Sequence, residues 1–228
     1  MSSWREAVQF LRPLIFLITM GIAQSQPVVD SAVSTVSLPE VGFGDRTAPV
    51  KVVMYHSLTC HHCAEFKLDK FPEFKQKYVD TGKVYFILKD FPTDEFSLKL
   101  SIICWAGRNV DKYLERSHLI IQNFNPDKNK KVAFDWVNAD KPTEVIEELL
   151  RSTGITSEMI QPLLDDRSIE DAILQDALTI GHELGLNFAP GFTVNGKLVE
   201  MNDLNKAVDK AIKAADKPAP QSSVRTTS

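Results

Sequence analysis

Residues 49–63 read PVKVVMYHSLTCHHC. The first seven, Pro49–Tyr55, are apolar and β-branched, which predicts a buried strand. Thr59 then precedes Cys60, and Cys63, Phe66, Phe71, Phe74 and Tyr78 recur at helical spacing with Lys and Glu between them. Pro72 falls inside that pattern and predicts a kink. Thr81-Gly82 ends the helix and Val84–Leu88 (VYFIL) predicts a second strand. Strand, helix and strand within about 40 residues have the size of a right-handed βαβ unit.

Beyond Pro92 the texture turns helical. DEFSLKLSIICWAG, VDKYLERSHLIIQNF, PTEVIEELL, TSEMIQPLL and SIEDAILQDALTIGHELGL each carry an apolar stripe, with Thr143, Ser157 and Ser168 as expected caps and Asn125–Lys131 as a charged loop. After Phe188 the β texture returns as GFTV, Asn195-Gly196 and KLVEM, an Asn-Gly hairpin pattern, followed by an amphipathic helix over Leu204–Ala214. Neither β-containing part can bury a sheet alone. Together they predict a four-stranded sheet with helices on both faces. Residues 44–92 and 187–217 then form one discontinuous α/β domain, and residues 93–186 a helical insertion. Residues 26–43 read as a lead-in, and 218–228 as a disordered tail.

Residues 1–25 differ from the rest. Arg5 and Arg12 precede the apolar run Leu14–Ala23, and Gly21, Ala23 and Ser25 suit signal-peptidase cleavage. Ten apolar residues fall short of the roughly 20 that span a bilayer. Export with cleavage is the expectation, with an uncleaved membrane anchor as the competing reading. Either places the body in an oxidising compartment, where disulfides persist. The 228-residue chain carries a net charge of −4, which gives no electrostatic reason to expect nucleic-acid binding. Three cysteines are too few for a disulfide scaffold, so the spacing of Cys60 and Cys63 matters more than their number.

Cys60-His61-His62-Cys63 stands where the strand gives way to the helix. A helix start offers unpaired N–H groups and partial positive charge that stabilise a thiolate, the reactive form of cysteine. The second sulfur lies one turn in, within bridging reach. His61 or His62 can add positive charge or a hydrogen bond to the Cys60 thiolate. A stabilised thiolate favours the reduced form, so the disulfide becomes a stronger oxidant and Cys60 a better leaving group. The alternative is an exported copper or zinc site using Cys60, Cys63 and an intervening His. Against it, there is no second Cys-x-x-Cys, and Cys104 offers no partner at ligand spacing. Ala64 excludes the c-type haem motif.

The segments APVKVVMYHSLTCHHCAEF, DTGKVYFILKDFP and FAPGFTVNGK, in this order, resemble the exported bacterial DsbA-like thiol:disulfide oxidoreductases of the thioredoxin superfamily, over about residues 44–215. The resemblance implies a thioredoxin fold with an inserted helical domain. It implies Cys60 as the exposed nucleophile, Cys63 as the buried resolving cysteine, and Pro190 as a cis-proline whose loop, with Ala189 and Gly191, faces the disulfide and pairs with substrate backbone. It also implies a periplasmic oxidase acting on newly exported or unfolded cysteine-containing proteins. Reoxidation would come from a membrane quinone-linked partner, and no bound cofactor is required. Isomerase and reductase activities of the same fold are the alternatives. Three positions depart from the family pattern. Met54 stands where relatives often carry an acid serving the buried cysteine, His-His replaces Pro-His, and Ala189-Pro190-Gly191 replaces a Thr-Pro-Thr-like loop.

Other residues invite functional readings. His56 shares a strand face with Met54 and reads either as a substitute for the missing acid or as a satisfied core histidine. Cys104 reads as a buried inert thiol. His118 and His182 read as surface or capping residues, Trp105 and Trp136 as core or groove-lining, and the pairs Asp165-Asp166 and Glu147-Glu148 as solvated faces.

Overall fold

The predicted first strand is β2, Val50–His56, and it occupies the middle of a five-stranded sheet. The computed structural model describes residues 37–124 and 142–217. Strand order is β1-β3-β2-β4-β5, where β1 is Val41–Phe43, β3 Val84–Asp90, β4 Gly191–Val194 and β5 Lys197–Val199. β2 and β3 run parallel with Val50 opposite Val84 and His56 opposite Asp90; β4 lies antiparallel on the other side of β2. Asn195 takes φ 49° and Gly196 φ 77° between β4 and β5, the two positive values that a type I′ hairpin turn requires.

The sheet has one strand more than the four expected. β1 lies in the stretch read as a lead-in and pairs antiparallel with β3, Val41 opposite Leu88. Three residues are too few for a period-2 signal, and Pro39 and Gly44 flank them as breakers. Gly42 is required there, because a Cβ would fall 2.0 Å from the Tyr85 hydroxyl.

Alternation along the strands divides the core between the two faces of the sheet. Val50, Val52, Met54, Val84, Phe86, Leu88, Phe192 and Val194 point into the larger cluster, which takes in the helices around the site. Val53, Tyr55, Tyr85 and Ile87 point the other way, onto Ile180 and Leu186.

The helix after Cys60 is not one kinked α-helix. It comprises α1 (His61–Glu65), a π-helical stretch Phe66–Lys70, α2 (Phe71–Phe74) and a second π-helical stretch Lys75–Val79. Pro72 falls in the first turn of α2, where its missing N–H costs least, and the wide π turn before it accommodates the ring that would clash with a carbonyl four residues back. Phe66 packs edge-on against Phe192 at 4.7 Å, and Phe71 lies 4.7 Å from Phe86, fixing this helical run over the sheet.

Between β3 and β4 come α3 (Glu95–Cys104), α4 (Val110–Phe124), α5 (Pro142–Leu150), α6 (Ser157–Asp165) and α7 (Arg167–Leu184), and α8 (Leu204–Ala215) ends the described chain. The expected caps shift. Asp166, not Ser168, caps α7 by accepting the Ser168 N–H at 3.0 Å; Thr156 holds the N-cap position of α6, and Ser157 instead bonds Glu147. Residues 1–36, Asn125–Lys131, Trp136, the Thr143 side chain and 218–228 lie outside the described residues.

Candidate active site

Cys60 is the N-cap of α1, with extended backbone at φ −85° and ψ 117°. β2 delivers the chain to this point, and the Cys60 sulfur accepts a hydrogen bond from the Cys63 N–H at 3.3 Å. Both sulfurs are free thiols, Cys60 half-buried and Cys63 fully buried. The Cys60 S–H donates to the Ala189 carbonyl at 3.3 Å. The Ala189–Pro190 peptide bond is cis, and the loop before β4 brings the Ala189 carbonyl to the redox pair from the far end of the chain. Gly191 opens β4 and is packed rather than open: a Cβ there would lie 2.6 Å from the Leu186 side chain.

The two thiols have opposite acidities. Hydrogen bonding from the Cys63 thiol, reinforced by the Cys63 and His62 backbone N–H groups and by His62, lowers Cys60 to about 7. Burial pushes Cys63 far above the ordinary thiol value, and the bond to Cys60 adds to it. His61 and His62 are both exposed, with ring centroids 5.5 Å apart, and His62 Nδ1 lies 3.3 Å from Glu65 Oε2. Among the described residues, His61, His62 and Glu65 are the grouping nearest to a metal-ligand set. Glu65 is paired with Lys70 at 2.8 Å, and the cysteines are not part of the grouping, so it reads as surface ion pairing beside Cys60.

Below Cys63 the structure holds a polar cluster that the sequence reading missed. His56 and Asp90 are register partners, and His56 Nε2 lies 3.8 Å from Asp90 Oδ1. Asp90 accepts from the Ser101 hydroxyl at 2.7 Å, the Trp105 indole N–H at 2.8 Å and the Tyr113 hydroxyl at 2.9 Å. Three donors suit an ionised carboxylate, although burial pulls the Asp90 pKa up. Tyr113 gives its proton to Asp90 and therefore accepts from His56 Nε2 at 3.0 Å, leaving His56 Nδ1 as a buried acceptor without a hydrogen-bond partner. His56 is thus a half-satisfied core histidine, held neutral by burial. Trp105 stacks on Tyr113 at 4.2 Å and belongs to this cluster, and it also lines a cavity beside β3. Position 54 carries no acid; the buried acid of this region is Asp90, on the neighbouring strand β3. The sequence offers only a partial signal, LKDFP, a charged residue ending an apolar strand, which marks Asp90 but not its partners.

Of the remaining candidates, Cys104, His118 and His182 fall where expected, whereas Glu147 is half-buried rather than on a solvated face. Cys104 is fully buried and its thiol pKa is raised by burial; His118 and His182 are exposed. Glu147 pairs with Arg151 at 3.2 Å.

A central mixed sheet, a helix that starts at Cys-x-x-Cys and a cis-proline loop against the first sulfur define a thioredoxin fold. A family model described as Thioredoxin matches residues 37–214, and the chain belongs to that family. Its fold is that of the DsbA-like proteins. Wolbachia pipientis alpha-DsbA1 aligns with TM-score 0.61 and 24% identity over 78% of this chain and 94% of that one. BdbD from Bacillus subtilis aligns with TM-score 0.60 and 20% identity over 78% and 97%. Among curated proteins, one from Rickettsia bellii named "Putative protein-disulfide oxidoreductase" is 28% identical over 172 residues. That alignment covers 74% of this chain and 63% of the relative, so the chain spans less than two thirds of the relative's length.

Proposed function

We propose that the protein is an exported thiol:disulfide oxidoreductase that donates a Cys60–Cys63 disulfide to newly translocated cysteine-containing proteins. The asymmetry of the two sulfurs carries this reading: one is accessible and acidic, the other buried and weakly acidic. A substrate thiolate attacks Cys60 Sγ, the S–S bond breaks, and its electron pair leaves on Cys63. The second substrate thiolate attacks the substrate sulfur of the mixed disulfide and expels Cys60 as a thiolate. The substrate leaves oxidised and the protein as a dithiol. A thiol of pKa about 7 leaves readily as the thiolate at neutral pH, as the second exchange step requires. Backbone next to the cis peptide, at Ala189 and Gly191, is the surface on which substrate backbone would pair.

The export reading rests on residues 1–25; among the described residues no helix is long and apolar enough to cross a membrane. A periplasmic location and a membrane quinone-linked reoxidant belong to the same proposal, and residues 93–186 are taken as the inserted helical domain. Isomerase and reductase action are separated from oxidase action by equilibrating the mature protein with glutathione buffers. A potential near that of strong disulfide donors, about −120 mV, is expected; one near −270 mV would make it a reductant instead. In trapping experiments Cys63→Ser should accumulate the mixed disulfide and Cys60→Ser should form none. Equal trapping by both would reverse the assignment of roles.

A further inference from the structure

Lysines ordinarily lay their methylenes along apolar surface and keep the ammonium in water. Lys67 does the reverse. It sits in the π-helical stretch one turn beyond Cys63; the residue as a whole is half-buried, yet its Nζ is fully buried and has no hydrogen-bond partner among the described residues. Its side chain passes a cavity of about 20 Å³ lined by Phe43, Met54, Phe66, Phe71, Phe86 and Leu88. A buried polar atom without a partner is rare and costs on the order of 1–3 kcal/mol. Among the described residues there are two such side-chain atoms, Lys67 Nζ and His56 Nδ1.

We propose that Lys67 is a positioning residue for the resolving sulfur: its ammonium, buried in the core one turn beyond Cys63, is the counter-charge to the Cys63 thiolate formed when the disulfide opens. This rests on the functional reading above. In the first exchange step the substrate sulfur bonds to Cys60 and the S–S electron pair goes to Cys63, creating an anion in a site where burial disfavours one. The Lys67 ammonium lies within electrostatic range of Cys63, Cys104 and Asp90. While the disulfide is closed, Asp90 balances it. When the disulfide opens, Cys63 becomes its second negative partner, and the same attraction opposes the upward push that burial gives the Cys63 thiol. The proton Cys63 finally takes comes from solvent. Asp90 also lines a cavity of about 430 Å³ between β1, β3 and α7, whose lining does not include Cys60.

The charge has a pH limit. Burial lowers Lys67 to about 8, with Asp90, Cys104 and Cys63 opposing the fall. The titratable groups around it are Cys63 on α1, His56 on β2, Asp90 on β3, Cys104 on α3, and Tyr113 and His118 on α4. His56 and His118 are shifted below the usual histidine value, and Cys63, Cys104 and Tyr113 above their usual values. Lys67 is the member of this set brought to about 8, and Asp90, raised by burial, is the acid it faces.

The test uses the oxidised full-length protein with reduced glutathione as the attacking thiol, the opening rate being read by acid quench and mass spectrometry and divided by the glutathione thiolate concentration. For the wild type this normalised rate should fall as pH rises through about 8. In Lys67→Met it should be about tenfold slower at pH 7 and flat with pH, so that the two curves converge above pH 9. Alkylation of Cys60 in the reduced protein should keep its midpoint in both. A Lys67→Met rate equal to wild type, or a constant ratio across pH, would overturn the proposal. If Lys67→Met does not fold, the wild-type profile alone decides, a flat normalised rate counting against it. Failure of the functional reading looks different: glutathione would not open the wild-type disulfide, or the mixed disulfide would sit on Cys63.

Discussion

The Cys60 sulfur and the Ala189 carbonyl oxygen lie 3.3 Å apart across 129 positions of sequence. The same sulfur accepts the Cys63 N–H from the opposite side. Cys60 is thereby held between the start of a helix, which favours its thiolate, and a carbonyl that accepts from its thiol. Ionisation trades the second contact for the first. The reactivity of Cys60 should follow that balance.

Alkylation of the reduced protein with iodoacetamide should give a Cys60 rate with a midpoint near pH 7, while Cys63 stays unmodified in the folded state. Replacing His62 by Ala removes one of the smaller contributions and should move the midpoint up, toward the ordinary thiol value, by less than the whole shift. A midpoint near 9 in the wild type would sink the electrostatic account of the site.

The redox potential should carry the same signature. Below pH 7 reduction takes up two protons, and above it one, because Cys60 stays ionised. The midpoint potential should then fall by ~59 mV per pH unit below pH 7 and ~30 mV above it. The folded Cys60 pKa is depressed, so the stability it gives the dithiol protein is present above the unfolded thiol value, near 9, and is lost as pH falls through about 7. A single slope from pH 5 to 9 in glutathione titrations would show that Cys60 does not titrate in this range.

Asp94 ties the site to the helices. Its Oδ1 accepts the Ser97 N–H at 2.7 Å in a capping box at the start of α3, and its Oδ2 accepts the Thr59 hydroxyl at 2.8 Å, one residue before Cys60. Asp94→Ala should lower stability by about 1 kcal/mol in urea unfolding. Asp94→Asn, which keeps an acceptor oxygen, should lose less. Full stability in Asp94→Ala would mean that the box contributes nothing.

Gly191 faces Leu186 so closely that Gly191→Ala should cost about 1–3 kcal/mol by overpacking. Leu186→Ala in the same chain should recover part of that loss, a non-additivity measurable by thermal unfolding. Strict additivity would contradict the contact.

How much of this was readable in advance differs from residue to residue. β2, β3 and the β4–β5 hairpin announce themselves because apolar β-branched runs and Asn-Gly are local signals. The Cys-x-x-Cys at a strand-to-helix junction is equally local, and its chemistry follows from position. The Asp90–Tyr113–His56 cluster was not readable: its members come from three elements, and only the parallel register of β2 and β3 brings His56 and Asp90 level. Lys67 looked like a surface residue between two phenylalanine positions, since its sequence neighbours say nothing about a π turn. β1 failed for the opposite reason, being too short to show any period.

Strand order has a consequence in time. Synthesis proceeds from the N-terminus, so β2, the central strand, is made before β4, which must cover its second edge. Until residue 194 exists, that edge is unpaired and the Ala189 carbonyl cannot meet Cys60. The dithiol pair is thus among the first features of the domain to be made and the last to acquire its complete surroundings, and a chain cut short before β4 would carry the motif without the site.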